Sequence, residues 1–135
     1  MGAWGAGSFE NDDAKDWLAG LGSIAPDGLT RIFAEAADHP GYLEAPAACV
    51  VIAAGEVVAA VNGASAEGLP AEIVQWTTSH PAAVAELKTP ELRALALRAL
   101  ERVRKNSELK DLWLEADGLN EWIAAVQDLQ TRVEG

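Results

Sequence analysis

The sequence predicts an all-α fold over residues 1–135: a single helical domain of about seven or eight short helices packed around a central apolar one. Three observations carry this expectation. Apolar residues recur at helical spacing from one end of the chain to the other, and no stretch shows the apolar–polar alternation of a half-buried strand. Asn, Ser, Thr, Pro and Gly also fall where helix caps and stops belong.

The opening Gly2, Gly5 and Gly7 predict an irregular loop. Asn11 or Asp12 then offers an N-cap, and Asp12, Asp13 and Asp16 place negative charge at the positive end of a first helix dipole. Ala14, Trp17, Leu18 and Leu21 form its apolar face, and Gly20 and Gly22 end it. A second helix is expected from Pro26, a favourable first-turn residue, through Leu29, Ile32, Phe33 and Ala36, stopping at Asp38-His39-Pro40-Gly41. The third runs from Glu44 to Val61 and stops at Asn62-Gly63, a left-handed cap. Because it is apolar nearly all round, it is placed at the centre of the bundle. Its Cys49-Val50-Val51-Ile52 run also suits a buried strand, but the length and alanine content favour helix.

Pro70 to Thr78 and Pro81 to Leu87 predict two short helices. In the sixth, Thr89 caps, Pro90 takes the first position, and Leu92, Leu95, Ala96, Ala99, Leu100 and Val103 line one face. Its C-terminal half carries Arg98, Arg102, Arg104 and Lys105, which complement the dipole rather than form an anion site. Ser107 caps a seventh helix, broken at Asp117-Gly118, and Leu119, Trp122, Ile123, Val126, Leu129 and Val133 mark the last.

Composition narrows the function classes. Half of the 135 residues are apolar, so a packed core is expected despite a net charge of -11. An acidic balance of that size argues against nucleic acid, whose phosphates need a basic patch, and against anionic membrane surfaces. It favours a basic protein partner, or serves solubility alone. The charge is uneven: residues 1–88 carry twelve carboxylates against three Lys or Arg, so an electrostatic surface is expected there. Cys49, the lone cysteine, excludes an intrachain disulfide and a thiolate cage. The first residues lack the features of a signal peptide, and the longest apolar run is short for a bilayer span, so a cytoplasmic location is expected.

Several candidate sites follow. Glu10, Asp12, Asp13 and Asp16 could take a hard cation, but the alternating ligands of a calcium loop are missing; neither a metal nor another cofactor is assigned. Glycines before a helix start suggest a phosphate cradle, which Asp12 and Asp13 would oppose electrostatically. Glu56 lies in the middle of the most apolar helix; if buried it needs a partner, for which Arg31 and Arg98 are candidates, and a desolvated carboxyl is also what a general acid or base looks like. His39 and His80 each precede a proline, an ordinary helix-stop pattern. Trp17, Trp113 and Trp122 are assigned to the core, whereas Trp4 and Trp76 are candidates for exposed contacts.

The opening Met1-Gly2-Ala3-Trp4-Gly5, with Phe9-Glu10-Asn11-Asp12-Asp13-Ala14 and Asp16-Trp17, resembles the N-terminal motif of a widespread bacterial family of small proteins of unknown function. Ser107-Glu108-Leu109, Leu112-Trp113, Glu115, Trp122 and Leu129 are similar to its C-terminal pattern. The resemblance implies a bacterial intracellular protein of one domain and no particular activity. Without a catalytic cluster, the leading reading is a non-enzymatic, immunity-like or regulatory module that binds a basic protein through Trp4, Glu10, Asp12, Asp13, Asp16 and Trp76. Its alternatives are a small carboxylate-based or metal-assisted hydrolase using Glu10, Asp12, Asp13 and Glu56, and a structural homo-oligomer.

Overall fold

In a computed structural model, which describes residues 8, 9, 11–24, 27–64 and 69–134, the chain forms eight α-helices and no strand element among those residues. They are α1 (Asp12–Ala19), α2 (Gly28–Ala37), α3 (Ala45–Val61), α4 (Ala71–Ser79), α5 (Pro81–Leu87), α6 (Pro90–Lys105), α7 (Glu108–Glu115) and α8 (Leu119–Glu134), with a 3-10 turn at Leu21–Ser23. The Gly-rich opening and the Pro26 helix start lie outside the described residues.

Local chemistry explains most boundaries. Asn11 caps α1, its Oδ1 accepting from the Ala14 amide at 2.7 Å. Thr89 caps α6 by accepting from Leu92 N, with Pro90 at the first position. Ser107 does the same for α7 through Lys110 N at 3.1 Å, while its own hydroxyl donates to the Val103 carbonyl at 2.8 Å. That second bond ties the end of α6 to the start of α7 and keeps a fully buried hydroxyl satisfied. Gly63 ends α3 with φ of 85°, a conformation that favours glycine. At the end of α7 the left-handed residue is Asp117, with φ of 62°. Gly118 is needed there for space, since a Cβ would stand 2.8 Å from the Trp113 ring.

Helix α3 is the hub, packed against α1, α2, α6, α7 and α8. All but four of its seventeen residues are buried. Apolar faces of the surrounding helices close on it through Leu18, Phe33, Leu100, Leu109, Trp122 and Leu129. The outer layer is amphipathic and the inner helix is not, which is how a bundle buries one element completely. No helix among the described residues is long and apolar enough to cross a membrane.

The tryptophans redistribute relative to expectation. Trp122 is in the core as expected, but Trp17 and Trp113 are only partly buried against it. Trp76, expected at an exposed contact, is 6% exposed and stacks on His80 with ring centroids 5.3 Å apart. His80 Nδ1 lies 3.0 Å from the Trp76 carbonyl, a bond that requires the Nδ1–H tautomer and closes the last turn of α4.

Candidate functional site

Of the residues singled out from the sequence, Trp4 and Glu10 lie outside the described residues. Asp12 and Asp16 stand one turn apart on the solvent face of α1, and Asp13 is half-buried at its edge. This follows from the helix itself: Ala14 and Leu18 turn inward, so positions 12, 15, 16 and 19 face out. None of the three aspartates has an ion-pair partner among the described residues. Asp13 comes near enough to α3 to add its field to that of burial at Cys49, which together push the thiol up to about 12, burial being the larger cause.

The raised thiol has a testable sign. Well below about 8.5, where a free thiol is half ionised, Cys49 is neutral in both folded and unfolded chains and its contribution to stability is complete. Between there and about 12 the unfolded chain releases the proton while the folded one retains it, so stability falls as pH rises. Urea unfolding across that window should show a steeper alkaline decline for wild type than for Cys49→Ala, by up to about 1.4 kcal/mol per pH unit. Parallel declines would show that the buried thiol is not linked to folding.

Glu56 is 2% exposed and is held by three donors. Arg132 of α8 spans both carboxylate oxygens, Nη1 to Oε1 at 2.6 Å and Nη2 to Oε2 at 3.0 Å, and Ser8 Oγ donates to Oε2 at 2.6 Å. The partner is therefore neither Arg31 nor Arg98. Arg31 pairs with Asp27 one turn away and Arg98 with Asp38, both on the surface. Arg132 also bonds Asp128 and the Ala64 carbonyl, and its guanidinium is driven further toward the charged form, chiefly by the bond to Glu56. Bidentate, charge-assisted pairing of this kind leaves the carboxylate committed to holding α3, α8 and the Ser8 segment together. A general acid or base needs an oxygen free to meet a substrate, and here both are occupied.

Three further basic residues, all on α6, are similarly occupied. Arg104 and Lys105 pair with Glu101, whose carboxyl is pulled below its usual range first by the Gln130 amide and then by these cations. Arg102 donates from Nη1 to the His39 carbonyl at 2.7 Å, from Nη2 to the Gly41 carbonyl, and from Nε to Asn106 O at 3.0 Å. Among the described residues no group of three His, Cys, Asp or Glu side chains is placed to hold a metal ion.

One feature was not legible in the sequence. A groove of about 580 Å³ opens between α2 and the first turns of α3, with Ile32, Ala36, Val50 and Val51 on its floor and Glu35 and Glu44 at its edges. Leu43, in the connecting loop, closes part of it. That loop is stitched to α6 and α7 from several directions. Besides the Arg98 and Arg102 contacts, Glu108 N donates to Leu43 O at 2.8 Å, Glu108 Oε1 accepts from Ala45 N at 2.8 Å, and Tyr42 hydrogen-bonds Asp111. Asp111 raises the phenol of Tyr42 to about 12 by accepting its proton's hydrogen bond. Glu108 thus supplies from sixty-three residues away the N-terminal cap that α3 lacks locally.

Comparison with curated proteins and with solved structures finds no match. The motif residues that fall within the described chain serve the fold directly: Asn11 as a cap, Phe9 and Trp17 against the core, Ser107 and Glu108 as the joint between α6, α7 and α3. A family model does match, over residues 2–125, and the chain therefore belongs to the family described as a domain of unknown function, DUF4259.

Proposed function

We propose that the chain is a non-enzymatic interaction module, immunity-like or regulatory, that binds a basic protein partner. The observation that supports this reading is how the charges are disposed. Arg31, Arg98, Arg104, Lys105 and Arg132 are engaged in intrachain ion pairs, and Arg102 serves backbone carbonyls. Much of the acidic excess behind the net -11 charge is thus left outside the ion pairs formed among the described residues, including Asp12, Asp13 and Asp16 on α1, a helix whose one cation is Lys15, and Glu35 and Glu44 beside the groove. Uncompensated like charge creates a field that steers and selects a partner of opposite sign.

The carboxylate chemistry of a hydrolase is less well supported, because Glu56 is closed in its salt bridge with Arg132 and Ser8.

A pull-down from native lysate with wild type and Asp12→Ala/Asp13→Ala as baits tests the reading. The expected result is a basic protein retained by wild type, weakened in the double variant, and released between about 0.1 M and 1 M salt, where the screening length falls from about 10 Å to about 3 Å. Retention indifferent to salt, or an acidic protein as the retained species, would sink it.

A further inference from the structure

We infer that the partner is bound in the groove between α2 and α3, and that what enters it is an amphipathic helix with Lys or Arg flanking its apolar face. This deepens the reading above and rests on it.

Among the described residues, the floor is where the N-terminal half of the central helix is left uncovered. Of the four α3 residues that are not buried, Pro46, Ala47 and Val50 lie together there, and Ala60 stands apart near the other end. At about 100° per residue, Val50 is about 140° around the helix from Gly55, which faces Leu100 of α6 and Leu129 of α8. The stripe therefore points away from the covering helices, toward the gap beside α2. Exposed along one stripe and next to Ile32 of α2, this apolar helix forms one side of a valley whose other side is α2.

The walls decide the kind of occupant. Both sides are α-helices, which offer no ladder of free backbone groups, so an extended strand would find no edge to extend, whereas a helix can lay apolar residues at i, i+3 and i+4 into the valley. Glu35 and Glu44 flank it as exposed carboxylates without ion-pair partners among the described residues. Lys or Arg beside the incoming apolar face complements them. A second copy of this chain would bring the same carboxylates and the same net charge, and is disfavoured for that reason. The site is also built to stay open: Arg102, Glu108 and the Tyr42–Asp111 bond hold the loop that forms its end, so little ordering is required on binding.

Three labelled synthetic peptides test this by fluorescence anisotropy against the full chain. One is helical with leucines at i, i+3, i+4 and i+7 flanked by lysines; one carries glutamates in place of the lysines; one carries serines in place of the leucines. Tightest binding is expected for the leucine–lysine peptide. Ala47→Gln/Val50→Gln, whose side chains sit at the open surface, should weaken it at least about tenfold at both low and high salt, with circular dichroism unchanged. Glu35→Gln/Glu44→Gln should remove mainly the salt-sensitive part.

Equal binding of the serine and leucine peptides, or a full-strength Ala47→Gln/Val50→Gln complex alongside loss in Asp12→Ala/Asp13→Ala, would overturn the groove while leaving an acidic docking face in place. No binding of either lysine peptide to wild type would overturn both. Light scattering that shows a dimer broken by Ala47→Gln/Val50→Gln would assign the groove to a second copy and overturn the proposal.

Discussion

Replacing Arg132 with methionine should lower the unfolding free energy by about 3–5 kcal/mol, a large share of what a domain of this size possesses. The cause is the residue left behind more than the one removed. Glu56 sits at 2% exposure in the least polar helix of the chain, and without Arg132 its carboxylate keeps only the Ser8 hydroxyl as a donor among the described residues. A buried charge stripped of its counter-ion bears nearly its full desolvation penalty. The part of Arg132 that pairs with Asp128 contributes little, since that carboxylate is 69% exposed.

The double replacement Glu56→Leu/Arg132→Met is the control that identifies the mechanism. It removes both charges and refills the space with apolar volume, and should recover most of the loss. Urea unfolding of the wild type, the single and the double variant gives the comparison. A single variant within about 1 kcal/mol of wild type would mean that the pair is hydrated, contrary to the burial described.

The second large effect is expected at Gly55, the neighbour of Glu56 on α3. A Cβ there would stand 3.2 Å from Leu129 Cδ2 and 3.3 Å from Leu100 Cδ1, closer than ordinary van der Waals contact yet against the flexible ends of leucines. Gly55→Ala should therefore nearly break even. It gains about 1 kcal/mol from helix propensity and loses part of that to the tight fit. Gly55→Val adds two methyl groups where α6 and α8 already touch the hub, and overpacking of that kind costs about 1–3 kcal/mol. Denaturant unfolding with near-UV circular dichroism checks both variants. Valine tolerated without loss would place α3 farther from α6 and α8 than the contacts here require.

The contrast between these residues and the helix boundaries shows what can be read from sequence. Asn11, Thr89 and Ser107 cap the helices they precede because a capping side chain reaches an amide only two or three residues ahead, a relation written entirely in local sequence. The central placement of α3 was legible for a similar reason, since a helix apolar on every side has no face to offer water. The acidic face of α1 belongs to the same class: inward-turning Ala14 and Leu18 settle where Asp12 and Asp16 point.

Relations between distant residues were not legible. Arg31 and Arg98 were as plausible for Glu56 as Arg132, which is 76 positions away, because composition says that a buried carboxylate needs a cation but not which helix end arrives beside it. Trp76 went to the core and Trp113 to its margin because neighbouring helices, not the helical period, decide how deeply an aromatic face is covered. The groove exists only because α2 and α1 leave part of α3 uncovered, and its wall is held by α6 and α7, which follow it by some sixty residues in the chain. Sequence by itself determined the helices, the caps of three of them, the hub and the excess of negative charge, all consequences of short-range periodicity and composition. Tertiary structure alone decided which charges are paired, which tryptophans are covered and where apolar surface stays open, because each depends on which elements meet.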